Sequence, residues 1–228
     1  MGDPMKLTVP VFMSLTAGYI DTAGFLALQG LFTAHVTGNF VTLGAALVLG
    51  TSGAVAKLLA LPVFCSVILV TRLAAFSLSK VGLPILRTTL SLQVLLLIAG
   101  AALAIHAGPA QKGDDVVSIL SGMVLVAAMA IQNAASRIHL ASAPPTTLMT
   151  GSTTQIMIDI ADLVRGLEGD ARLAAKARVS KMFANVAAFA VGCAAGAILY
   201  SYLKMWCFVL PPILAFVPIL MNATREPI

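Results

Sequence analysis

The sequence is a succession of apolar runs, each ended by glycine, proline or charge. They fall at roughly residues 8–29, 37–55, 57–79, 86–107, 116–138, 148–164, 180–201 and 204–222. Most approach the ~20 apolar residues that an α-helix needs to cross the ~30 Å hydrocarbon core of a bilayer. Hydrophobic residues make up 59% of the chain and charged residues 10%, against about 25% in an ordinary soluble domain. So few polar groups cannot cover a soluble surface. In lipid every backbone N–H and C=O must be paired within the protein, so bundled helices are its expected body. The expectation is an all-α, polytopic membrane protein with the lipid bilayer as its surroundings.

Segments two and six are short for full spans. The second is flanked by Thr37-Gly38-Asn39 and by Gly50-Thr51-Ser52-Gly53; the sixth runs into Asp159, Asp162 and Arg165. Each has only about 12–16 convincingly apolar positions. Eight spans therefore compete with six spans plus two pieces that enter the membrane and turn back. The longest polar stretch, from Arg165 to Lys181, reads as a loop. It carries Arg165, Arg172, Lys176, Arg178 and Lys181 against Glu168 and Asp170. The excess of basic residues in cytoplasmic loops puts it in the cytoplasm. With eight spans, Lys57 and Lys112 would share that side, and Lys80, Arg87, Arg137 and Lys204 would face out. The N-terminus has one lysine, Lys6, but also Asp3, and Asp21 interrupts its apolar run, so it reads as a retained first helix.

The chain also repeats itself. Thr37-Gly38-Asn39 aligns with Thr150-Gly151-Ser152 at an offset of 113 (150 − 37), close to half of 228 residues. The same offset carries segment one onto five and segment four onto eight; segment three reaches seven only across a longer basic loop. Two halves of four segments, 1–113 and 114–228, are expected. Four spans per half would make the repeats parallel, and three spans plus a re-entrant piece would invert them.

Few polar residues lie within the apolar runs. Asp21 falls about the middle of segment one, where a carboxylate is costly unless it meets a cavity or a partner. It is a candidate for ion or proton coupling, and the plain structural alternative is a bond to a neighbouring backbone. Each Thr-Gly element reads as a broken approach followed by a helix start. Pro144-Pro145 forbids continuous helix before the second. Thr and Asn can cap orphan N–H groups, and two helix N-termini inside a membrane would suit an anionic solute. Thr37, Gly38, Asn39, Thr150, Gly151 and Ser152 are therefore candidate substrate contacts, with surface capping as the alternative. Gln132 and Asn133 occupy in half two the place beside Asp21 in half one. They could hydrogen-bond a solute or simply join helices. Arg137 and His139 sit near the segment end; Arg137 could pair with Asp21 or bind an anion. Asp159 and Asp162 share a helix face near Arg165 and the basic stretch, where a solvated helix end is the plainer reading; Asp159 is the deeper of the two and the candidate for ion coupling.

Other classes find little support. The net charge of +5 forms no stripe with interleaved aromatics, so no nucleic-acid partner is expected. Cys65, Cys193 and Cys207 lie in apolar runs without metal-ligand spacing, so neither metal nor cofactor is expected. Ser77 to Lys80 matches S-x-x-K without a companion motif, and Asn222 opens a formal sequon in a terminus expected inside. Gly192 and Gly196 are spaced for close helix packing, within or between protomers. No residue group argues for an enzyme.

The combination of "GYIDTAGFLALQGLFTAHVTGNFVTLG" with "IQNAASRIHLASAPPTTLMTGSTTQIMIDIADL" resembles the DUF1275 (YoaK-like) family of bacterial membrane proteins over nearly the whole chain. In that family an acidic residue in the first helix precedes a TGN element, and a Gln-Asn-Ala stretch precedes a second TG. Here they fall on Asp21, Thr37-Gly38-Asn39, Gln132-Asn133 and Thr150-Gly151, with Ser152 where the first element has Asn. The resemblance implies an inner-membrane protein, usually guessed to be a transporter, and names no substrate. Secondary transport of a small polar or anionic solute, ion-coupled through Asp21, is the leading expectation. A small protein of this kind could work as a homodimer. The alternatives are a scaffold or sensor, a passive channel, or a membrane-embedded enzyme.

Overall fold

A computed structural model describes residues 8–80, 84–109 and 115–223. The expected division at 113/114, the charges Asp3, Lys6 and Lys112, and the threonine of the sequon lie outside them. Among the described residues the fold is helical: α1 (Val9–Ala27), α2 (Gly38–Leu49), α3 (Ala54–Lys80), α4 (Ile85–Ala107), α5 (Val116–His139), α6 (Met149–Val164), α7 (Gly169–Leu203), a 3-10 turn (Lys204–Val209) and α8 (Leu210–Ala223). Five helical runs are long and apolar enough to cross a bilayer: α1, α3, α4, α5, and one run, Gly169–Met221, that takes in α7 and most of α8. The chain is a polytopic helical membrane bundle.

Local chemistry explains the ends. Pro10 stands in the first turn of α1, where its missing N–H breaks no bond. Asp115 caps α5 by accepting from the N–H groups of Val117 and Ser118. Gly50 ends α2 in the left-handed conformation, φ 64°, that favours glycine. The last run breaks at Lys204, φ 50°. Beyond it the Tyr19 hydroxyl donates to the Cys207 carbonyl at 2.8 Å, so the chain has already turned back onto the middle of α1.

Two expectations about boundaries need correction. The stretch 165–181 is not a loop: from Gly169 it is the start of α7. Ala, Arg, Lys and Leu are good helix formers, and Asp170 favours the first turn. At 35 residues α7 is about 52 Å long, more than a bilayer's hydrocarbon core, so it extends beyond the hydrocarbon. Segment two is also shorter than expected, with twelve helical residues, about 18 Å.

Segment two does not cross. After α1 ends at Ala27, residues 28–37 fold back until the N–H groups of Thr33, Ala34 and His35 reach the Asp21 carboxylate. Asp21 lies six residues, about 9 Å, inside the end of α1. α2 then returns to the level where it left: the Ser52 hydroxyl pairs with the Gln29 side chain, and Gly53 packs on Gln29. The stretch between α5 and α6 does the same at the opposite end. The Thr147 hydroxyl donates to Asn133 Oδ1, six residues before the end of α5, and Asn185 of α7 donates to the Pro144 carbonyl. α6 then runs outward against α7 until Asp159 meets Arg178.

Glycine sets the closest contact. A Cβ on Gly192 would strike the Leu15 carbonyl, one on Gly196 would lie 2.6 Å from the Tyr19 carbonyl, and one on Gly18 would strike the Phe189 carbonyl. The two helices thus run side by side in the same direction, backbone to backbone, and the Gly192/Gly196 pair packs within the chain. α1 also leans on α8, whereas α5 leans on α3 and α4.

Candidate functional site

The fold leaves one cavity of about 370 Å³ between the re-entrant elements of both halves. Ala34, His35, Val36 and Thr37 of the first loop line it, with Leu61, Phe64, Ile68 and Arg72 on α3. Asn133, Ala134, Arg137 and Ile138 of α5 face it, and Thr147 and Leu148 close it from the second loop. The α3 residues recur at helical spacing on one face. From Leu61 to Arg72 the wall is eleven residues, about 16 Å, long.

Thr37 and Asn133 are the two candidate residues that line this cavity. The others stand behind or away from it, and each has a different employment. Asp21 is 4% exposed. Its Oδ1 accepts from Thr33 and Ala34 N–H, both at 2.8 Å, and its Oδ2 from His35 N–H at 3.2 Å. Those bonds hold the loop that forms one end of the cavity. Arg137 does not reach Asp21. Asn39 is buried and staples the same loop, accepting from Phe32 N–H at 2.9 Å and donating to Phe32 C=O at 2.8 Å. Gly38 lies where a Cβ would meet the Phe32 ring at 2.9 Å.

The capping role read into both Thr-Gly elements is not what the side chains do. Thr37 precedes α2 but makes no cap bond, and Thr150 lies one residue inside α6, whose cap is Leu148. The first N–H groups of α2 are already used: Gly38, Asn39 and Phe40 donate to the carbonyls of His35, Val36 and Thr37. A tight turn satisfies the helix end from within, leaving no free N–H crown for an anion. Thr150 and Gly151 are exposed on the outer face of α6, and Ser152 turns back to the Leu148 carbonyl.

In half two the amides do the work of Asp21. Asn133 accepts from Thr147 at 2.6 Å while donating to the Met129 carbonyl. Gln132, fully buried, donates to the Met13 carbonyl of α1 at 2.8 Å and accepts from Gln93 of α4 at 2.7 Å. One amide thus joins three helices. Asp159 pairs with Arg178 at 2.7 Å and accepts from Gln155; its own side chain is 2% exposed and the arginine's 49%. The guanidinium holds the Asp159 carboxyl below the usual carboxylate range, outweighing burial.

Sequence reasoning passed over Arg72, His35, Thr147 and Gln93. Arg72 and Gln93 were visible as polar residues within long apolar runs, the pattern that elsewhere singles out Asp21. His35 and Thr147 carry no such signal, because only the folding-back of each loop brings them to the cavity.

Long apolar helices, broken elements entering from opposite ends and a partly open cavity between them define a polytopic α-helical membrane protein. The chain belongs to the DUF1275 family: the family model described as "Protein of unknown function (DUF1275)" matches residues 9–221. No curated protein and no solved structure matches it.

Proposed function

We propose that the protein is a secondary transporter of a small anionic solute across the bacterial inner membrane. The observation that carries the reading is the cavity: both broken elements border it, and its charged lining is Arg72 and Arg137, with no carboxylate. Paired broken segments bordering one shared space are the usual geometry of a transporter's solute site.

Three crossing helices and one re-entrant element in each half would make the halves inverted repeats. That arrangement gathers Lys80, Arg87, Arg137 and the Arg165–Lys181 series at one end, and leaves Lys57 and Lys204 at the other. Positive charge on the cytoplasmic side then orients the protein with the start of α7 inside, the arginine end of the cavity nearest the cytoplasm. Asp21 would couple the ion gradient indirectly. Neutralising its carboxylate weakens three N–H bonds to the loop bordering the cavity, so loop position follows its charge.

Uptake into proteoliposomes tests this, using a panel of labelled organic anions with and without an imposed proton gradient. Uptake above protein-free liposomes, reduced at least tenfold in Arg72→Gln/Arg137→Gln, is expected. Uptake that ignores both arginines sinks the proposal.

A further inference from the structure

The cavity wall specifies more than charge. We infer that its ligand is a monoanion with an apolar body, such as a small aromatic or branched aliphatic carboxylate. The anionic end lies toward Arg72 and Arg137, and the body runs along Leu61, Phe64 and Ile68. This deepens the transport proposal and rests on the cavity being the solute site.

Four features support it. Both arginines belong to the cavity's lining, with no carboxylate among the lining residues, so a cation or a zwitterion's ammonium would find no counter-charge. An inorganic anion would satisfy the arginines and leave the apolar wall from Leu61 to Ile68, about 10 Å long, unfilled. Of the neutral polar groups in the lining, Asn133 and Thr147 are engaged with each other and Asn133 with Met129, which leaves Thr37 and His35, too few for a sugar-like body with several hydroxyls. Finally, about 370 Å³ falls at the small end of ordinary ligand sites, too little for a two-chain lipid. Arg72 itself is steadied by the Phe76 ring, 4.4 Å from its guanidinium carbon, which holds the charge at the wall without cancelling it.

Binding is measured on the purified full chain, by calorimetry in neutral detergent and again in nanodiscs. The probes are phenylacetate, its neutral amide, acetate and an arylalkylammonium. Saturable phenylacetate binding is expected, with the amide, acetate and the ammonium each at least tenfold weaker. Arg72→Gln/Arg137→Gln should lose at least tenfold, and the Lys/Lys variant should recover part of it. Both arginines are exposed, so these variants keep the fold, checked by circular dichroism. Acetate binding as tightly as phenylacetate overturns the apolar body, and equal binding of the amide overturns the anion site. Loss of binding in nanodiscs rich in phosphatidylglycerol assigns the arginines to lipid headgroups and also overturns it. Binding without uptake refutes transport alone; arginine-dependent uptake of inorganic anions with no phenylacetate binding refutes this ligand class alone.

Discussion

Asp21→Ala isolates what the buried carboxylate does for the first broken element. Three backbone N–H groups converge on it, and two of them, on Thr33 and Ala34, belong to residues 0% and 4% exposed. A buried N–H left without a partner costs about 1–3 kcal/mol. Losing the acceptor for both therefore weakens the hold on the loop by about 2–6 kcal/mol; His35 is exposed and can turn to water. Asp21→Asn keeps an oxygen for Thr33 and Ala34 and puts an NH2 against His35. It gives up charge-assisted strength only, about 1–2 kcal/mol. Hydrogen exchange read by mass spectrometry on peptides covering residues 30–40 reports the opening free energy directly. Because about 1.4 kcal/mol is tenfold, exchange in the Ala variant should quicken by at least about thirtyfold, and in the Asn variant by about fivefold to thirtyfold. Peptides from α4 should not change. Unaltered protection of 30–40 in Asp21→Ala would refute the tether and return Asp21 to a role that needs no loop.

Three further perturbations probe the frame around the cavity. Gly192→Ala should destabilise by about 1–3 kcal/mol, because its Cβ strikes the Leu15 carbonyl, whereas Gly44→Ala, with open space around it, should be neutral or stabilising; equal thermal midpoints would deny the backbone contact. Gln132→Leu orphans the Gln93 amide and should cost about 1–3 kcal/mol, while adding Gln93→Leu should recover part of it. Strict additivity in that double-mutant cycle would show no shared bond. Asp159 is held below the ordinary carboxylate range by Arg178, so the pair's stabilisation is full above the unfolded value, about 3.9, and is lost as pH falls through the lower folded value. The thermal advantage of the wild type over Asp159→Asn should therefore shrink between pH 5 and pH 2, and a constant gap would contradict the ion pair.

Element existence was legible because hydrophobic runs of this length leave a chain few choices. Helices α1, α4 and α5 begin and end within two residues of the apolar runs that announce them. The short second and sixth runs also announced themselves by length. What periodicity does not carry is where a polar residue finds its partner. Thr37 looked like a cap because Thr before Gly-Asn suits a helix start, yet the turn at His35–Thr37 supplies the carbonyls and frees Thr37 for the cavity. Asp21 looked like a site because a lone intramembrane acid needs a reason, and the reason lies twelve to fourteen residues ahead in the chain. The start of α7 read as a loop because charge was weighed above helix propensity, an error that the Ala-rich register of 171–178 could have prevented.

The cavity itself follows from a difference between the α1/α7 and α3/α5 contacts rather than from the two Thr-Gly elements. Were the expected halves true repeats, α1 would correspond to α5 and α7 to α3, and the α1/α7 contact to α5/α3. Glycines at 18, 192 and 196 let α1 and α7 meet backbone to backbone. α3 has no glycine anywhere between Ala54 and Lys80, and where it faces α5 it presents Leu61, Phe64 and Ile68. Side chains of that size hold the two helices apart, and the space they leave is the cavity. In the proposed transport cycle the α3/α5 pair could not seal along Leu61, Phe64 and Ile68 as α1/α7 does at its glycines, because backbone contact needs small residues there. Its closure would need an occupant to fill the gap between the helices. An apolar-bodied anion supplies that filling and neutralises Arg72 and Arg137 in the same event, which ties the shape of the ligand to the movement of the helices that carry it.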